Sequence, residues 1–166
     1  ENLRRQVKEV FVPFAESLYE NRRERLGLDK MYFSDEQVYG KDGNPQPFGT
    51  PEEILEAGQK MYGELSKETR EFFDFMMENE LLDVFGRKTK AVGGYMTYIP
   101  DYKSPFIFAN FNGTSDDVNV ITHECGHAFQ GYLASEDPIR EHADIGMETA
   151  EIHSMSMEFF TEPWYP

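Results

Sequence analysis

Cysteine is almost absent: Cys125 is the only one in 166 residues. A lone thiol excludes an intrachain disulfide framework and agrees with a reducing compartment, so a cytoplasmic location is expected. Basic charge is also scarce, with 16 Lys and Arg against 31 Asp and Glu and a net charge of -15. Such a chain has no basic stripe for a nucleic-acid backbone, and an anionic membrane surface repels it. Long apolar runs are missing too, since nothing approaches the roughly 18 uninterrupted residues of a membrane span. The start at Glu1 has no signal-peptide features and lies inside a helical pattern. The chain is therefore expected to be a single segment, 1–166, of a longer protein.

What is present suffices for a core. Hydrophobic residues make up 39% and aromatics 14%, which argues against wholesale disorder. Leu3, Val7, Val10, Phe11, Phe14 and Leu18 recur at three- and four-residue steps and predict a helix. Pro13 should kink or break it, and Gly27 should stop it. Residues 29–49 read as a long loop, with turns at Gly40, Asp42-Gly43 and Asn44-Pro45. Thr50-Pro51-Glu52-Glu53 is a capped helix start, and Ser66 caps another helix through Phe72, Phe73, Phe75, Met76 and Met77. At helical spacing, those Phe and Met residues read as core. Gly93-Gly94 precedes one strand candidate, 95–99, and a second follows at 106–111 before Asn112-Gly113. Thr114 to Asp117 then cap a helix over 118–133, Asp137-Pro138 interrupts it, and a last helix over 147–160 ends before Pro163. The expected class is mainly α, with a small β ribbon beside helix 118–133.

His123-Glu124-Cys125-Gly126-His127 carries the chemistry. Residues four apart on a helix are separated by about 40° in rotation and about 6 Å along the axis, so both imidazoles can reach one metal ion. Glu124 lies about 100° round from His123, placed as a general base rather than a ligand. A catalytic zinc needs a third protein ligand and an open position. The metzincin pattern would require Gly at 130 and His at 133, where Gln130 and Leu133 stand. His142 lies in a polar loop and is a weak candidate. Glu148, Glu151 and Glu158 share one face of the last helix, whereas His153 is about 200° from Glu151. Spacing alone does not choose between Glu148 and Glu151. Cys125 points about 200° away from His123, into the packing, and reads as an inert buried residue. Glu148 reads as a solvated helix-start carboxylate, and Glu158 as either a partner of a ligand imidazole or a structural hydrogen-bond acceptor.

Gly93-Gly94-Tyr95, the run from Pro105 to Thr114, Thr122 to His127, and Ala150-Glu151-Ile152-His153-Ser154-Met155-Ser156-Met157-Glu158-Phe159 together resemble the M3 family of zinc oligopeptidases. The similarity is to its oligoendopeptidase F branch. It extends upstream through Tyr19, Arg25-Leu26-Gly27, Gly43-Asn44-Pro45 and Met61-Tyr62. The resemblance implies a zincin-like helical metallopeptidase core and puts the third ligand on Glu151. It implies one Zn2+ per chain on His123, His127 and Glu151, with Glu124 taking the proton of the attacking water. Cys125 is the departure inside the motif, at a variable position without a metal role.

The resemblance further implies a metalloendopeptidase that cuts oligopeptides. Strand 106–111 would be an edge strand beside the cleft, pairing with an extended substrate through Phe108, Ala109 and Asn110. Members of the family are several times longer and carry a downstream histidine and tyrosines with no counterpart here. The remaining part of a longer chain is thus expected to complete the cleft. Two alternatives stay open: a zinc-binding fragment without catalysis of its own, and a gluzincin exopeptidase, for which no terminus-capturing group is evident.

Overall fold

Pro13 does not break the first helix. In the computed structural model, which describes every residue except Pro45, Phe48 and Pro166 and only the backbone of Arg140, α1 (Asn2–Gln6) runs into a π-helical turn, Val7–Phe11. The chain then continues as α2 (Val12–Leu26), with Pro13 in its first turn. A proline there has no N–H to donate, and the widened π turn before it accommodates the missing bond. Gly27 ends α2 in the left-handed conformation at φ 72°, the amide of Leu28 returning to the carbonyl of Arg23. The turn expected at Asn44-Pro45 lies partly outside the described residues.

The chain divides into two compact units, Glu1–Pro45 and Gln46–Pro166. In the first, no described residue is buried. Its loop is tied to α2 by Arg22, whose guanidinium donates to the carbonyls of Asp35, Glu36 and Val38 and lies 4.6 Å from the Tyr39 ring.

The second unit holds the core. Thr50 and Glu53 form the expected reciprocal cap on α3 (Pro51–Leu65), and Ser66 with Thr69 caps α4 (Lys67–Glu78). Tyr62 of α3 stacks on Phe73 of α4 at 4.9 Å, and Tyr62, Phe72, Phe73 and Met76 are fully buried. The aromatic and methionine positions of α4 are therefore core. Three strands follow: β1 (Leu82–Phe85), β2 (Tyr95–Ile99) and β3 (Ser104–Phe111). β1 is absent from the sequence reading, because four residues carry too little periodicity to declare a strand.

The strand order is β1-β3-β2, with β3 parallel to β1 and antiparallel to β2. This overturns the expectation that 106–111 is an edge strand: β3 is central, and β2 and β1 form the edges. The β1–β3 register slips between Asp83 and Phe85, and the side chain of Lys90 fills the gap. Its ammonium donates to the carbonyls of Asp83, Phe85 and Ala109 and to the Asp83 carboxylate, with the side chain only 1% exposed.

α5 (Asp116–Ala134) packs on β2 and β3 and on α7 (Met147–Thr161), with the short α6 (Arg140–Ala143) between the two helices in sequence. Ile121, Cys125 and Ala128 carry the inward face of α5 into the core. Buried Asp117 fastens the preceding loop, accepting from the amides of Asn112 and Gly113. The architecture is mainly α with one three-stranded sheet. Among the described residues, no helix is long and apolar enough to cross a membrane.

Candidate metal centre

α5 supplies two imidazoles from successive turns. The rings of His123 and His127 lie 5.0 Å apart, nearly perpendicular at 81°. α7 crosses them with Glu151: Oε2 is 3.3 Å from His123 Nε2, and Oε1 is 3.8 Å from His127 Nε2. One donor atom from each of the three residues lies within 4.8 Å of the others. Tetrahedral zinc, with bonds of about 2.0–2.1 Å, sets its donors about 3.3 Å apart. Two nitrogens and one carboxylate at this spacing are thus a chemical and metric fit to such an ion.

The outer contacts favour the same use. Glu158, two turns beyond Glu151, stands 2.5 Å from His123 Nδ1. A carboxylate there holds the proton on Nδ1 and leaves Nε2 free to coordinate. Of the two readings of Glu158, the contact fits a hydrogen-bond partner of the His123 imidazole. Burial, and next the nearby His123, push the His127 imidazole below its ordinary pKa, with Glu151 partly opposing. A neutral ring is the form that binds metal. Burial raises the Glu124 carboxyl above the usual carboxylate range; His123 and the backbone N–H of Met96 pull it down, while Glu151 adds slightly to the rise. A half-buried carboxylate raised in this way is closer to the poise of a general base at neutral pH.

The other candidates lie elsewhere. His142 is exposed and bonds Asp137 through Nδ1 at 2.9 Å. Glu148 is exposed in the first turn of α7. Cys125 is buried in the core, and desolvation pushes its thiol strongly up, the signature of an unreactive cysteine. His153 lies outside the donor cluster, with Nδ1 buried and unpartnered among the described residues.

The structure does not bring Phe108, Ala109 and Asn110 into this cluster. Ala109 is fully buried, and Phe108 is stacked on Tyr95 at 5.0 Å with the Lys90 ammonium 4.5 Å from its ring. Asn110 donates to the carbonyls of Ala91 and Gly93, holding the glycine-rich loop against the sheet. Two residues near the cluster escaped the sequence reading. One is Met96 of β2, whose backbone N–H lies close enough to Glu124 to favour its charged form. The other is Ser154, whose hydroxyl donates to Glu151 Oε2 at 3.0 Å. The available signal for Ser154 was its place three residues after Glu151, on the same helical face.

The family model of peptidase family M3 matches residues 64–164, which include all of these side chains. The chain belongs to peptidase family M3. Three solved structures are similar to it across almost its whole length. One, provisionally named oligoendopeptidase F, is 53% identical with a TM-score of 0.93 over 97% of this chain. A Bacillus anthracis protein given the same provisional name is 51% identical with a TM-score of 0.94 over 98%. PZ peptidase A, solved with an inhibitor, is 53% identical with a TM-score of 0.94 over 98%. This M3 chain spans only 28%, 30% and 29% of the respective structures. None of the curated proteins compared matches it.

Proposed function

We propose that this chain is the metal-binding core of a zinc metalloendopeptidase that hydrolyses internal bonds of oligopeptides. It would be one catalytic segment of a longer, cytoplasmic protein whose remainder completes the cleft. The observation that carries this reading is the convergence of His123, His127 and Glu151, with the raised carboxylate of Glu124 beside them. His123, His127 and Glu151 would hold one Zn2+. When bound, that ion supplies Lewis acidity, polarising the scissile carbonyl and acidifying water.

The chain's own groups do the rest. Glu124 removes a proton from the attacking water and returns it to the leaving amine. Glu158 keeps His123 in the tautomer whose Nε2 faces the site. An extended peptide would add to the sheet along β2, since β3 is interior; the amide of Met96, in that strand, lies beside Glu124. The substrate-pairing role expected of Phe108, Ala109 and Asn110 then becomes one of support, because these residues brace β2 and its glycine loop from behind.

A second reading, a zinc-binding fragment without activity of its own, is favoured by one observation: the chain spans under a third of each similar structure. Internally quenched peptides blocked at both ends separate the readings. Cleavage that falls by about 10²–10⁴-fold in Glu124→Gln, with zinc content unchanged, supports the endopeptidase. Zinc binding without cleavage supports the fragment, and cleavage only of free-ended peptides points to an exopeptidase.

A further inference from the structure

Gly126, inside the motif, meets α7 with no room for a side chain. A Cβ built on it would stand 2.5 Å from the Cα of Ser154, 2.8 Å from the carbonyl oxygen of His153 and 3.0 Å from the Cβ of Met157. The first two are backbone atoms, so no rotamer change relieves them and the helices would have to part. Gly131, on the same helix, is a contrast: its Cβ would meet only side-chain atoms, the nearest being Tyr98 Cδ2 at 3.4 Å. Glycine is a poorer helix former than alanine. Within α5 alone Gly126 is therefore an unfavourable choice, and what it provides is the close approach of α7.

Ser154 sits at the point of closest approach and is fully buried. Its Oγ is 3.0 Å from Glu151 Oε2 and 3.1 Å from the Glu151 carbonyl oxygen, so it bridges the backbone and the carboxylate of that residue. Oε2 is also the oxygen that faces His123 Nε2. A glutamate has three side-chain torsions and sweeps a wide arc unless something restrains it. We propose that Gly126 and Ser154 are positioning residues for the third ligand: Gly126 sets how near the Glu151 backbone comes to the two histidines, and Ser154 aims the carboxylate. This rests on reading the cluster as a metal centre.

The test is zinc affinity by chelator competition on the whole 166-residue chain, with the visible spectrum of the cobalt-loaded protein and the melting midpoint of the metal-free protein recorded alongside. The variants are Gly126→Ala, Ser154→Ala, Gly131→Ala and Glu151→Ala. Outer groups that orient a ligand typically change metal affinity by about 10–100-fold. A loss of that size is expected in Gly126→Ala and in Ser154→Ala, together with altered cobalt bands and, for Ser154→Ala, a metal-free midpoint close to the parent's. Gly131→Ala should bind as the parent does. Parent-like affinity and spectrum in a folded Gly126→Ala, or in Ser154→Ala, overturn the proposal. Should Gly126→Ala not fold, Ser154→Ala decides in the same two directions. A parent that binds no zinc overturns the metal-centre reading and this proposal with it. Zinc that Glu151→Ala retains at full affinity overturns the ligand assignment, a different failure.

Discussion

The two units of this chain bury their apolar residues very differently. In Gln46–Pro166, Tyr62, Phe72, Phe73, Met76 and Val84 are wholly inaccessible. In Glu1–Pro45 the stripe of Leu3, Val7, Val10, Phe11, Phe14 and Leu18 follows the same three- and four-residue spacing, yet Leu3 is 78% exposed and Phe11 62%. Periodicity thus marks the face that a helix offers, not whether anything covers it. The polar fastenings differ in parallel: Arg22 ties carbonyls that water can also reach, while Lys90 ties carbonyls and a carboxylate from within the sheet.

The largest expected effect tests the covered side. Phe73→Ala removes a fully buried ring stacked on Tyr62 and should cost about 3–5 kcal/mol. Trp164 is the only tryptophan, and its indole bonds Glu64 within the second unit, so its fluorescence during urea unfolding reads that unit. Next comes Lys90→Met, which strands three carbonyls at the register slip and leaves Asp83 with Arg87 alone; about 3 kcal/mol is expected by the same readout. Arg22→Ala, followed by circular dichroism, should cost about 1 kcal/mol, since water replaces the lost bonds. Equal costs at Lys90 and Arg22 would break the comparison.

Lys90 also marks where sequence reasoning stops. Nothing in its neighbours distinguishes it from a solvated lysine, because its partners lie on β1 and β3 and meet only through long-range pairing. The same is true of the sheet order: the spacing of 95–99 and 106–111 declares strands but not which one is central. The helices, their caps at Thr50 and Ser66, and the two imidazoles of α5 depend on local spacing and were legible. Glu151 was not legible from spacing, since Glu148 lies on the same helical face. Proximity to the histidines, set by the crossing of α5 and α7, separates the two.

A smaller effect follows from acid. The Arg87 guanidinium, and then Lys90, hold the Asp83 carboxyl down from 3.8 to about 2. A depressed folded-state pKa stabilises above the unfolded value and ceases to do so as pH falls through the folded one. Because the Arg87 side chain is exposed and water screens the pair, Asp83 should contribute only about 0.5–1 kcal/mol above pH 4, lost progressively toward pH 2. The difference in stability between parent and Asp83→Asn, measured by Trp164 fluorescence, should narrow over that window. A constant difference would mean that the ion pairs around Asp83 do not set its proton affinity.

The smallest expected effect bears hardest on the comparison. Phe11→Ala removes a ring as large as that of Phe73, from the end of the π-helical turn, where the ring is exposed and not buried. An exposed site loses little when truncated, and alanine is the better helix former, so the change should stay within about 0.5 kcal/mol. Thermal unfolding followed by circular dichroism would detect more. A cost above 1 kcal/mol that grows with protein concentration would mean that a second copy covers the stripe in solution. In that case the contrast between the units would lie in where each finds its covering partner, not in whether it has one.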